Sequence, residues 1–244
     1  MKTRRALALP FALVAVLLLV AVPAYAGSIG YSFSNGSTNG WVFPYNSGMS
    51  QGPAVWGVEN GVLVESYFGD NNVGYVRDAS LSDFVLEAQV KSAGVAGVVL
   101  WYSQVDNTWA NYVAITRSTQ GPLSVNEFIN GEMVGTPYSA PWWSGDWYSV
   151  RVEANGLTGA LRVHVDDPLM GPYEFTHVAS TPYRTGRAGV VSGNHYGYFD
   201  DFRLTSDELV TVPDPGSTLL FLGISLVGLR AWRKCVSARF PRLL

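Results

Sequence analysis

Between Gly27 and Thr211 the chain carries almost no helical periodicity. Short runs rich in Val, Tyr, Phe and Trp alternate instead with clusters of Gly, Asn, Asp, Ser and Pro. β-Branched and aromatic residues suit a pleated, half-buried surface, and the clusters supply turn conformations, so this rhythm restricts the segment to an all-β sandwich. The runs predict strands over 28–33, 41–43, 55–58, 62–68, 74–77, 84–91, 95–102, 111–117, 123–129, 147–154, 160–165, 173–179, 187–192 and 197–205. Asn60-Gly61, Asn130-Gly131 and Asn155-Gly156 supply the positive-φ positions of tight hairpin turns. In the strand from Trp147, Val150, Val152 and Ala154 point one way while Arg151 and Glu153 point the other, giving one dry and one wet face.

The ends of the chain have a different character. Lys2, Arg4 and Arg5 precede Ala6–Val22, a run of seventeen uncharged residues, and Ala24-Tyr25-Ala26 follows as a small-x-small site. This pattern predicts a secretory signal helix over 1–26, removed by signal peptidase after Ala26. At the other end stand Val212-Pro213-Asp214-Pro215, then fourteen uncharged residues from Gly216 to Leu229, then Arg230, Arg233 and Lys234. As a helix the apolar run spans roughly 21 Å, short of the roughly 30 Å of hydrocarbon, so the basic side chains must snorkel to complete a short transmembrane helix. The basic cluster holds that end on the cytoplasmic side.

Setting both ends aside leaves residues 27–211 as one domain, with no second domain needed. That segment has eight Lys and Arg against eighteen Asp and Glu, a net charge of −10, whereas the whole chain carries −3. The sign disfavours nucleic acid, whose phosphates need basic partners. The lone cysteine, Cys235, lies in the tail. The domain is therefore held by its core rather than by disulfides, and thiol chemistry is excluded from it.

Two resemblances follow from these residues. The proline box, apolar run and basic cluster of 212–244 resemble the PEP-CTERM sorting signal of exported bacterial proteins, with Asp214 where that family has Glu. The resemblance implies recognition by an exosortase; a plain C-terminal membrane anchor is the alternative. YSFSNGSTNGW at 31–41, WYSVRVEANG with ALRVHVDD across 147–167, and GRAGVVSGNHYGYFDDFRL at 186–204 look like the concanavalin A-like (LamG-like) jelly roll and its carbohydrate-binding relatives. This implies that the first and last strands are neighbours, and that the exported protein sits at the cell surface or in the extracellular matrix, bound to polysaccharide. A glycoside-acting hydrolase of the same fold and a purely structural matrix protein are the alternatives.

Candidate sites fall into two groups. If the last strand alternates regularly, Asp200 shares the apolar face with Phe202 and Leu204, where a carboxylate needs a partner. Ca²⁺, which takes carboxylate and carbonyl oxygens, is one such partner, and backbone N–H groups are the other. In related carbohydrate-binding modules a calcium bridges the first and last strands, but Ser34 stands here where they have an acid. The second group is aromatic. Trp101 and Trp109, with Tyr102 and Tyr112, form one set, and Trp142 and Trp143, in a loop over 141–145, offer surface indoles on which sugar C–H faces can pack. Trp101 and Tyr102 must face opposite sides of their strand. Enzyme signals are sparse: no strand carries the Glu-x-Asp-x-x-Glu pattern of laminarinase-type hydrolases, and no nucleophile or phosphate-loop motif occurs.

Overall fold

The structure, a computed structural model, describes residues 27–44, 55–66, 72–105, 109–119, 122–142, 147–193 and 195–209. The expected signal segment with Ala26, the Val212-Pro213-Asp214-Pro215 box, the tail beyond it, and Trp143 lie outside the described residues.

Fifteen strands occur among the described residues: β1 (Gly27–Tyr31), β2 (Trp41–Val42), β3 (Trp56–Glu59), β4 (Val62–Glu65), β5 (Asn72–Leu81), β6 (Phe84–Ser92), β7 (Val95–Gln104), β8 (Ala110–Ser118), β9 (Pro122–Ile129), β10 (Glu132–Trp142), β11 (Trp147–Asn155), β12 (Ala160–Asp167), β13 (Gly171–Val178), β14 (Gly186–Gly193) and β15 (Gly197–Ser206). They form two antiparallel sheets. One runs β13-β12-β11-β6-β15-β4-β3, with β1 also on β15; the other runs β10-β9-β8-β7-β14-β5-β2. The ends of the domain are indeed neighbours, β1 pairing with β15 from Gly27↔Ser206 to Tyr31↔Phe202. The architecture is the expected all-β jelly-roll sandwich.

Period-two alternation builds the layer between the sheets. Phe84, Leu86, Ala88 and Val90 of β6 point inward, as do Tyr148, Val150, Val152 and Ala154 of β11, and they meet Val98, Leu100, Val113, Ile115 and Val190 from the other sheet. Each large apolar side chain among them contributes about 1.5–3 kcal/mol by leaving water. β7 and β8 are buried on both faces. Their outward residues belong to a second, smaller apolar cluster that includes Tyr75, Val99, Tyr102, Tyr112, Phe128 and Val191. Two charged contacts tie the sheets together at opposite ends. Arg117 reaches Asp167 at 3.4 Å and lies 5.1 Å from the Tyr148 ring. At the other end, Glu127 clasps the β13–β14 crossing.

Three expectations are corrected. The strand β10 is absent from the sequence reading because Gly135, Pro137 and Pro141 interrupt its pattern; it is the edge of its sheet, where missing N–H groups are tolerated, and its register shifts twice against β9. Trp142 therefore closes an edge strand opposite Pro122 instead of standing in a loop. Asn60-Gly61 and Asn130-Gly131 do form the expected turns, with φ of 53° and 81°, and 52° and 76°. The hairpin at Asn155-Gly156 is longer than expected. Its positive φ falls on Gly159, Asn155 caps Thr158, and Gly156 instead fits a close approach, its N–H donating to Asp83. The third correction concerns Asp200.

Candidate functional site

A bulge in β15 moves Asp200 off the apolar face. Its pairing with β6 slips between Asp200 and Arg203, and Asp201 takes a positive φ of 46°. The extra residue lets Phe199 and Phe202 both point inward while Asp200 and Asp201 face outward. The Asp200 Oδ1 accepts the Asp201 N–H at 2.8 Å. Partial burial pushes its carboxyl above the usual value, and the neighbouring Asp201 charge adds to that while the N–H bond opposes it. The inward-facing carboxylate on which the calcium expectation rested is thus not formed.

A second bulge decides the fate of Trp101. Between Leu100 and Ser103 the β7–β8 register shifts, and Trp101 adopts φ 53°. Leu100 and Trp101 then both enter the core, while Tyr102 faces outward, opposite to Trp101 as expected. Trp101 is 0 % exposed, with its Nε1 donating to the Ser82 carbonyl at 2.9 Å. It is a core residue and offers no sugar platform.

The outward face of the seven-stranded sheet carries instead a row of rings. Tyr75 of β5, Tyr102 of β7, Tyr112 of β8 and Phe128 of β9 follow one another at 5.0, 6.0 and 4.5 Å between centroids, with interplanar angles of 29°, 33° and 19°. The Arg187 guanidinium lies 4.9 Å from the Tyr75 centroid. Rings stacked this way spend their faces on each other. All four rings are buried, Tyr102 at 1 % and Phe128 at 9 % exposure, so the row does not present the flat platform expected of the tryptophans. The Tyr102 hydroxyl is buried and has no hydrogen-bond partner among the described residues. Burial pushes the Tyr102 and Tyr112 hydroxyls well above the usual tyrosine value, so both stay neutral donors at any physiological pH. Beside them on the same face, Asn126 Nδ2 donates to Thr116 Oγ1 at 3.2 Å.

Trp109 is the one indole among the candidates whose side chain is described and partly open, at 38 % exposure. It precedes β8 and packs on the Asn130-Gly131 turn so closely that a Cβ on Gly131 would fall 2.1 Å from its ring. Met133, on the next strand, is also exposed. The corner adjoins the Phe128 end of the ring row, and Trp101, turned into the core, is not brought to it. Tyr75, Phe128 and Arg187 escape the sequence reading because they stand far apart along the chain and meet only through strand register.

Glu127 sits on the other face of β9. It accepts Ser180 N–H at 3.0 Å, Ser180 Oγ at 2.9 Å, Thr181 N–H at 2.8 Å and His177 Nε2 at 3.1 Å. Burial pushes its carboxyl up, but the bonds from Ser180, His177 and Thr181 outweigh it and hold the group below the usual carboxylate value.

Solved structures share this architecture. The carbohydrate-binding module CBM66 from Bacillus subtilis superposes with a TM-score of 0.50 at 16 % identity, covering 67 % of this chain and 94 % of that one. A Bacillus licheniformis β-glucanase gives 0.52 at 14 % identity, covering 73 % and 97 %. Lectin I-B4 from Griffonia simplicifolia gives 0.50 at 12 %, covering 73 % and 98 %. No family model and no curated protein matches the sequence. The fold is therefore a jelly-roll sandwich of the kind these structures share, and identities this low establish the fold alone.

Proposed function

We propose that the protein is an exported, non-catalytic glycan binder whose site is the outward face of the seven-stranded sheet. The observation that carries this reading is the open corner at the Phe128 end of the Tyr75–Phe128 row, where Trp109 is 38 % exposed and Met133 55 %. Arg187, Asn126 and Thr116 add polar groups around an apolar row, and Trp109 borders it, which is the composition of a sugar site. The similarity in fold to a carbohydrate-binding module and to a lectin agrees with it.

Support for a binder over a hydrolase comes from the carboxylates. Two-carboxylate glycoside hydrolysis needs a pair astride the scissile bond. Among β7, β8, β9 and β14, the central strands of that sheet, Glu127 is the single acid, and it is committed to the crossing loop. On this reading the signal segment is removed after Ala26, an exosortase recognises Val212-Pro213-Asp214-Pro215, and the domain reaches the cell surface or matrix, where polysaccharide is its partner. A glycan-array screen of the protein, with Trp109→Ala and Met133→Ala beside it, tests the proposal. Binding weakened in both variants is expected; no binding by the wild type, or release of reducing sugar from a bound glycan, would sink it. Mass spectrometry of surface protein tests the sorting step, which fails if residues 216–244 are retained.

A further inference from the structure

The outward face of the eight-stranded sheet is divided into two unlike halves. Toward the β13 side its side chains pair with each other. Arg151 holds Glu153 at 2.8 Å and Glu87 at 3.5 Å, and Arg162 holds Glu174 at 2.7 Å. This is the usual solvated checkerboard of an exposed sheet. Toward the ends of β6 and β15 the same face turns aromatic. Trp147 of β11 stands opposite Lys91 of β6, which stands opposite Tyr198 of β15, so one row across three strands reads Trp, Lys, Tyr. The Lys91 Nζ lies 5.8 Å from the Tyr198 centroid, and Tyr196 stacks on Tyr198 at 6.3 Å and 20°. Tyr196 is 40 % exposed.

Two residues further along each strand, on the same face, the next row holds Ser149, Gln89 and Asp200, with Gln89 Nε2 donating to Ser149 Oγ at 2.9 Å. Behind that row opens a hollow of about 320 Å³, bordered by Glu87, Gln89, Ser149, Arg151, Asp166 and Asp201. Aromatic rings, then an amide and a hydroxyl, then a hollow edged by carboxylates make a graded surface: apolar faces for ring C–H groups beside donors and acceptors for hydroxyls. The Cα atoms of Trp147 and Tyr198 are two strand spacings apart, about 10 Å, leaving room for a sugar ring above Lys91.

We propose that this surface is a second saccharide site, on the opposite face of the sandwich from the ring row, and that it takes an uncharged hexopyranose chain. The carboxylates of Asp166 and Asp201 at the hollow, with Asp200 in the row beside it, outnumber the Lys91 ammonium and disfavour uronate and sulfated sugars by repulsion, and the domain's overall acidity acts in the same direction. With sites on both faces, one molecule bridges two polysaccharide chains. The site stands on its own residues and does not depend on the ring row binding glycan.

Calorimetry and saturation-transfer NMR with cellohexaose and laminarihexaose as probes, and polygalacturonate as the anionic contrast, decide the matter. In the full-length protein, Tyr196→Ala and Gln89→Ala are expected to weaken one binding component at least tenfold, while Trp109→Ala leaves that component within twofold. Tyr196 is at the surface, so its loss leaves the fold intact, and an unchanged melting curve verifies this. The proposal is overturned if Tyr196→Ala leaves all neutral-sugar binding within twofold, if the wild type binds neither hexaose, or if polygalacturonate binds at this face in preference. A single component lost in Trp109→Ala and untouched in Tyr196→Ala overturns this site and leaves the reading of the Trp109 corner standing.

Discussion

Replacing Glu127 by Gln is the sharpest probe of how the two sheets are held at the end where β13 crosses to β14. The carboxylate accepts four bonds, two at each oxygen, and its side chain is 8 % exposed. Gln keeps one oxygen for two of the donors. At the other position it puts an NH₂ against the Ser180 hydroxyl and the Thr181 N–H, leaving the Thr181 donor unsatisfied and forcing the hydroxyl to turn. At about 1–3 kcal/mol for each such loss, the variant should be less stable by roughly 2–4 kcal/mol. For a domain of this size that lowers Tm by about 5–15 °C at neutral pH. The pH dependence has a definite sign. The folded carboxyl titrates below the usual value of about 4.3, so its contribution is complete above that pH and is lost as pH falls through the folded value. The difference between wild type and Glu127→Gln should therefore be constant from about pH 6 to 8 in thermal melts and shrink on acidification below about 4. A Tm within about 1 °C of wild type at neutral pH, or a gap that widens in acid, would refute the clasp.

Three other outcomes are expected. Arg117→Ala leaves Asp167 buried at 0 % exposure without its cation, and chemical denaturation should show a loss of about 3–5 kcal/mol. Tyr102→Phe removes a buried hydroxyl that has no partner among the described residues, so Tm should hold or rise; a clear loss of stability would mean the hydroxyl is bonded in the free protein. Asp201→Gly relieves the positive φ of the β15 bulge and should raise stability by up to about 1 kcal/mol in urea melts, and a loss instead would show the Asp side chain to be needed there.

Most of the sandwich is legible from alternation. β6 and β11 send out charged or polar residues at every second position over most of their length, and their inward sets are visible in the sequence. What cannot be read is where alternation breaks. Bulges at Trp101 and Asp201 each insert one residue into a strand, and one residue inverts every face assignment beyond it. Asp200 therefore reads as inward from the sequence although it faces outward in the fold. The opposite orientation of Trp101 and Tyr102 is read correctly because the break in alternation falls between Leu100 and Trp101, ahead of that pair. β10 is hidden for another reason, since Pro and Gly argue against a central strand but not against an edge. The candidate site is legible only as a surplus of aromatics. Strand order decides that Tyr75 meets Tyr102 and that Trp147 lies two strands from Tyr198, and no local pattern encodes strand order.

The pairing of β1 with β15 has a consequence for the order in which the domain assembles. The first strand of the domain to emerge from the ribosome has its partner at the opposite extreme of the domain, Gly27 waiting for Ser206. Until Gly197–Ser206 is free, Gly27–Tyr31 has no ladder to join, and closing so long a loop is slow even though its entropy grows only logarithmically. The seam between the two ends is thus the last to close, and the domain stays uncommitted until nearly all of it has been synthesised. The same seam sets the ends of the finished domain side by side, which makes it the natural place to join them and open the chain elsewhere.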